Sequence, residues 1–146
     1  MRIVVEDIDP QAEEEIIIRC KEVDDSILKL IQTIKQRNIM INGNKSGQIY
    51  RLEQKDIFYY ESVENRVFIY TKSEMYDSKQ KLYEIEQELI GTDFIRVSKS
   101  VILNLSKIKS LAPAFNGRFE ATLKNGEKVI ISRQYVVDLK ERLGLL

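Results

Sequence analysis

The chain reads as an α+β protein, mainly β with peripheral helices, and three features of its 146 residues point there. Two aromatic and β-branched runs, Asp56 to Ser62 and Arg66 to Thr71, are separated only by Val63-Glu64-Asn65, the spacing of a hairpin with a polar tip. A second pair, Arg118 to Leu123 and Lys128 to Ile131, flanks Lys124-Asn125-Gly126-Glu127, whose Asn-Gly dipeptide is the strongest short-range hairpin signal in the chain. Helical periodicity is confined to short segments that each present one apolar face. With 43% hydrophobic residues the length supports one good core, so a single compact domain with a modest N-terminal extension is expected.

Met1 to Glu6 contains a strand candidate, Arg2 to Val5, stopped by the acidic turn Asp7-Ile8-Asp9-Pro10. Glu15 to Cys20, with three consecutive isoleucines, is a second strand candidate. Asp24, Asp25 and Ser26 offer cap oxygens and favourable negative charge to a first helix. In it Ile27, Leu30, Ile31 and Ile34 recur at helical spacing, Leu28 widens the stripe, Lys35 and Arg37 suit the C-terminal end, and Asn38 closes it. That face suits core packing or a dimer surface. Ile39 to Ile41 leads into a turn-rich joint, Asn42 to Gly47, near which the domain boundary is placed. Residues 1–43 are then a strand-strand-helix extension with a dimerisation or regulatory role, and residues 44–146 the main domain.

Gln48 to Leu52 reads as a strand ahead of the first hairpin. Asp77 or Ser78 is expected to begin a second helix, with Gln80 placed for a capping box, Leu82, Ile85 and Leu89 on the buried face, and Gly91 as its end. Phe94, Ile95 and Val97 are β-formers, Ser98-Lys99-Ser100 interrupts them, and Val101, Ile102, Leu103 and Leu105 return to the core around Asn104. Asn104 suits a structural role, its side chain pairing with backbone. Ser132 is placed to cap a final helix whose Val136, Leu139 and Leu143 share a face before Gly144. The spacing that buries Val136 exposes Arg133. A cation at a helix N-terminus is mildly unfavourable, so Arg133 suits a partner better than it suits the helix.

Composition removes several classes of function. The chain has no histidine, hence no Ser-His or Cys-His nucleophile pair and no imidazole proton shuttle. Its one cysteine, Cys20, excludes an internal disulfide framework. Ser-x-x-Lys occurs at Ser26/Lys29, Ser78/Lys81 and Ser106/Lys109, a recurrence that reads as chance. No catalytic residue, metal site, cofactor or small-molecule substrate is expected. The first residues meet acids too soon for a signal peptide and no stretch has the apolar length of a membrane span, so a cytoplasmic protein is expected.

Formal net charge is zero, from 23 basic and 23 acidic residues, but the charge is unevenly distributed. Residues 96–146 hold ten Lys/Arg against four Asp/Glu, and residues 1–95 hold thirteen against nineteen. Such polarity is a hint of a surface that faces a polyanion. The basic, hydroxyl-rich triplet Ser98-Lys99-Ser100, anchored by apolar residues on both sides, is suited to hold a phosphate or a base edge, although any surface loop can contain Ser and Lys.

Taken in order, four stretches resemble the LytTR family of bacterial DNA-binding domains from about Ser46 to Leu143. They are Asp56 to Ser62, Phe94 to Ser100, Val101 to Leu105 with Ile108, and the Asn125-Gly126 hairpin leading to Ile131-Ser132-Arg133. The resemblance implies a mostly antiparallel β fold, with sheets of the LytTR type, in which loops at sheet ends enter successive major grooves of a bent duplex. It places Asn65 and Arg66 on the hairpin loop, Ser98, Lys99 and Ser100 on a second loop, and Arg133 on the loop entering the last helix. Relatives often read His-Arg-Ser in the second loop where this chain reads Ser-Lys-Ser. Lysine makes a point-charge contact where arginine makes a planar fork, which suits Lys99 to phosphate.

The reading is therefore a sequence-specific double-stranded DNA binder that regulates transcription. Arg133 is the candidate for bidentate guanine readout, and Lys99, Arg66, Lys45 and Lys107 are candidates for phosphate. Its rival is a protein-interaction module that keeps the fold without binding DNA, suggested by the zero net charge. Many relatives carry a receiver domain, for which residues 1–38 are too short. Control by homodimerisation or by a partner protein is expected instead, and the resemblance, not the sequence, adds a membrane-protein inhibitor as one such partner of stand-alone family members.

Overall fold

Side chains alternate along the central strands and divide the core between two faces of one sheet. A computed structural model describes residues 1–36 and 39–146. In order the elements are α1 (Asp25–Gln36), β1 (Met40–Lys45), β2 (Gln48–Glu53), β3 (Tyr59–Val63), β4 (Arg66–Tyr70), β5 (Met75–Ser78) and α2 (Leu82–Glu88). They continue with β6 (Phe94–Arg96), β7 (Val101–Asn104), β8 (Ile108–Pro113), β9 (Phe119–Leu123), β10 (Lys128–Ile131) and α3 (Val136–Arg142). A seven-stranded antiparallel sheet has the order β2-β1-β5-β4-β3-β7-β6, and a three-stranded sheet the order β10-β9-β8. The mainly β fold with peripheral helices is the one expected.

All four residues of β7 are buried, yet they serve different cores. Ile102 packs with Tyr60, Ile69, Ile85 and Leu89 beneath α2. Val101 and Leu103 pack with Val129, Ile131, Val136 and Leu139 of the small sheet and α3. The period of two in a strand imposes this division, and each fully buried aliphatic side chain contributes about 1.5–3 kcal/mol. Within the first core the Tyr60 hydroxyl is buried without a hydrogen-bond partner among the described residues, and burial, reinforced by the charge of Glu88, raises its pKa. Asn104 closes β7: its amide donates to the Ile57 carbonyl at 2.8 Å and its Oδ1 accepts from the Ser106 N–H at 3.0 Å. The structural role expected of Asn104 is the one it plays.

Both hairpins form as expected. Glu64 and Asn65 sit at φ 50° and 64°, the left-handed pair that a two-residue turn between twisted strands requires. At the other hairpin Gly126, at φ 88°, donates its N–H to Leu123 at 2.9 Å while Leu123 N–H meets Glu127 at 2.8 Å, a three-residue loop with a glycine bulge.

Other expectations are corrected. Arg2 to Val5 and Glu15 to Cys20 form no strand; Ile3, Val5, Ile16 and Ile17 are exposed, because β propensity is realised only when a neighbouring strand completes the ladder. Residues Asn42 to Lys45, read as part of a joint, continue β1, and the turn is only Ser46-Gly47. Gly43 lets β1 approach β5: a Cβ there would lie 2.8 Å from the Cβ of Tyr76. Asp77 and Ser78 do not start a helix but end β5, where Phe68 pairs with Asp77 and Val67 with Ser78. Helix α2 begins at Leu82, and Glu84 accepts the Lys81 N–H at 3.2 Å. Ser132 precedes a 3-10 turn, Arg133–Tyr135, and contributes its carbonyl rather than its hydroxyl, accepting from Tyr135 N–H at 2.9 Å. As expected, by contrast, Asp24 caps α1 through Oδ1, which accepts from Ile27 N–H at 3.0 Å and the Ser26 hydroxyl at 2.6 Å; these bonds hold its pKa down. Arg37 and Asn38, expected to finish that helix, lie outside the described residues.

Candidate nucleic-acid interface

Strand direction decides which loops share an end. Strands β3 and β6 run toward the Glu64-Asn65 turn and β4 and β7 run away from it, so that turn and the loop 97–100 emerge side by side. Ser62 N–H donates to the Ser100 carbonyl at 2.8 Å and binds the first loop to the second. Ser132 N–H donates to the Val97 carbonyl, also at 2.8 Å, and binds the second to the junction of β10 with α3. Loops contributed by residues seventy positions apart therefore form one end of the molecule.

Within that end the side chains are prepared differently. Asn65, Lys99 and Arg133 are exposed, and neither Lys99 nor Arg133 has an ion-pair partner among the described residues. Ser98 and Ser100 are partly buried; the Ser98 Oγ accepts the Ser100 N–H at 3.2 Å and fixes the turn of the loop. Arg66 is exposed but engaged, with Asp77 at 2.7 Å and its guanidinium 5.1 Å over the ring of Phe68. Glu64 places an exposed carboxylate at the hairpin tip.

Arg96 is the residue that sequence reasoning missed. Its side chain is only 20% exposed; Nε donates to the Ser98 carbonyl at 2.8 Å, Nη2 to the Lys99 carbonyl, and Nη1 meets Glu86 of α2 at 3.2 Å. The planar fork thus sets the loop backbone that presents Lys99, a task suited to arginine because its donors are fixed in one plane. A signal was available. Arg96 lies two residues after buried Phe94 on the same face of a strand, where a solvated cation does not belong.

Lys45 and Lys107 are not brought into this group. Lys45 ends β1 at the opposite end of the sheet and is paired with Glu74, a contact that raises its pKa. Lys107 follows β7 at that same far end, with its ammonium 5.1 Å over the ring of Phe58. Among the described residues no group of His, Cys, Asp or Glu could hold a metal ion, and no helix is long and apolar enough to cross a membrane.

Comparison with known proteins shows the family and the fold of this chain. The LytTR family, described as the LytTr DNA-binding domain, matches residues 47–144. The sensory transduction protein LytT of Enterococcus faecalis is 38% identical over 111 residues, covering 76% of this chain and 45% of that protein. The chain thus spans less than half the length of that relative. An uncharacterised HTH-type transcriptional regulator of Staphylococcus aureus is 27% identical over 137 residues, 92% of each chain. A solved LytTr DNA-binding domain from Bacillus cereus shares the fold, with a TM-score of 0.68 and 24% identity over 72% of this chain and 96% of that one. With most of its length matched and its loop-bearing β architecture shared, the chain belongs to the LytTR family of DNA-binding domains.

Proposed function

We propose that this chain is a transcriptional regulator that recognises a specific double-stranded DNA sequence, its loops addressing successive major grooves. The observation that carries this reading is the pair of backbone hydrogen bonds, Ser62 to Ser100 and Ser132 to Val97, which hold three polar loops at one end with Lys99 and Arg133 unneutralised. Arg133 reads a guanine through two parallel bonds to O6 and N7, the arrangement that its fork matches. Lys99 neutralises phosphate, Arg66 does so when it leaves Asp77, and Asn65, Ser98 and Ser100 donate to base edges or backbone. Lys45 and Lys107 have no part in this footprint.

The test is a titration of the full chain, over a range of salt, against a duplex recovered by in vitro selection from a random pool and against a shuffled duplex of equal composition. Binding should fall with salt by a log-log slope of about −0.9 per phosphate neutralised, and the selected duplex should bind far more tightly. No salt-dependent binding at micromolar protein would instead favour a protein-interaction module.

Residues 1–43 are assigned to self-association, since two half-sites call for two protomers. Supporting this, Ile16, Ile17, Leu28 and Leu30 are exposed. Sedimentation equilibrium should give a dimer for the full chain and a monomer for the Leu28→Glu/Leu30→Glu variant. Equal masses would remove this assignment.

A further inference from the structure

The five residues Ala114 to Arg118 connect β8 to β9 at the same end of the molecule as the three loops. Their location follows from the small sheet, where Pro113 and Ile131 both pair with Phe119. The turn is ordered by its own backbone: Ala114 N–H donates to the Arg118 carbonyl at 2.8 Å, and Asn116 and Gly117 take φ of 60° and 74°. Two side chains make it unusual. Phe115 is 85% exposed and packs in neither core. Arg118 is exposed and has no ion-pair partner among the described residues.

This turn is also the seat of Arg133. A Cβ on Gly117 would lie 3.0 Å from the Cδ of Arg133 and 3.2 Å from its Cγ, so the arginine stem runs directly over the bare glycine. Turn and arginine are therefore joined through Gly117, in a turn that also carries the exposed ring of Phe115 and the exposed guanidinium of Arg118. A partner for that turn must offer both anionic and apolar features, as a duplex does with its phosphates, deoxyribose rims and thymine methyl groups.

We propose that the β8–β9 turn is a fourth DNA-contacting element, in which Phe115 packs on a thymine methyl or sugar edge, Arg118 meets phosphate, and Gly117 seats Arg133 for base readout. This rests on the DNA-binding reading above and extends it to residues outside the three loops.

The experiment uses the full-length chain and the selected and shuffled duplexes already described. Phe115 is almost wholly solvated, so Phe115→Ser leaves the fold intact, which thermal unfolding of each variant verifies. Phe115→Ser should weaken the selected duplex about tenfold, the loss of a modest apolar contact, with the salt slope unchanged. Phe115→Leu should retain most of the affinity, and Arg118→Ala should lower the salt slope by about one. Wild-type affinity for the selected duplex in both Phe115→Ser and Arg118→Ala would overturn the proposal while leaving the three-loop reading in place. A wild-type chain that binds neither duplex would overturn both.

Discussion

At the far end of the strands Lys45 is held by Glu74, Lys128 meets Glu120 at 3.6 Å and Lys107 lies over Phe58, whereas at the loop end Lys99, Arg118 and Arg133 face solvent without an acidic partner among the described residues. Both ends have cross-connected turns: Lys124 N–H donates to the Lys107 carbonyl at 2.9 Å at the far end, much as Ser132 does to Val97 at the loop end. Order alone therefore does not distinguish them. The difference lies in particular pairings: Lys45 and Lys128 have acids beside them, although Lys72 and Lys124 of the same end have none among the described residues. The loop end uses Glu86 and Asp77 to orient arginines of the scaffold and leaves its outermost cations uncompensated. Surface ion pairs of the far-end kind contribute little to stability, at most about 1 kcal/mol each. Their consequence is that Lys45 and Lys128 are each matched by an acid, while Lys99, Arg118 and Arg133 have no such match among the described residues.

Substitutions should separate the two ends, one in stability and the other in binding. The largest effect is expected from Asn104→Ala, near the far end, which leaves the Ile57 carbonyl and the Ser106 N–H without their bonds. Unfolding by urea should show a loss of about 2–4 kcal/mol, while the folded fraction binds duplex as before. Arg133→Ala should reverse that pattern, leaving the melting temperature unchanged, costing about 1–3 kcal/mol of binding to the selected duplex, and relaxing preference at one base position. If its loss were equal at every position, Arg133 would be a phosphate contact.

A third substitution tests the clamp beneath the loop. Arg96→Lys keeps the charge and loses the fork, so binding to the selected duplex should weaken by about 1 kcal/mol with an unchanged salt slope. Combined with Lys99→Ala, the losses should be less than additive, because the clamp acts through the loop that carries Lys99. The smallest effects concern single phosphates: Lys99→Ala should lower the salt slope by about one and Lys45→Ala should leave it as it was. Glu64→Gln should move binding the other way, strengthening selected and shuffled duplexes alike as the acid at the hairpin tip is removed. A slope change in Lys45→Ala equal to that in Lys99→Ala would mean that the two ends do not differ in the way described.

Local chemistry made the hairpins readable, since Glu64-Asn65 and Asn125-Gly126 announce turns through backbone preferences that tertiary contacts do not reverse. The same reasoning misled at Asn42-Gly43-Asn44, where glycine answers to the packing of Tyr76 rather than to a bend. It also misled at Asp77, whose capping chemistry is used in an ion pair to Arg66 across the β4–β5 ladder. Strand β5 was missed because Met75 to Ser78 lacks the apolar density of a strand; it forms because β4 and β1 offer it a place between them. Among the candidate contacts, six of the eight share one end, and Lys45 and Lys107 do not, because formal charge carries no information about neighbours.

From the residues alone came the alternation that builds the strands, the turn dipeptides that join them, and the basic bias of residues 96–146, all of which depend on positions close in the chain. Which loops meet was decided by strand order and direction, that is, by hydrogen bonds between segments far apart in sequence. Ser62 reaches Ser100, Val97 reaches Ser132, and Gly117 lies under Arg133 only once α2 and the small sheet have packed on opposite sides of β7. Neither those contacts nor the partial burial that turns Arg96 from a surface cation into a clamp exists in any local stretch of the chain.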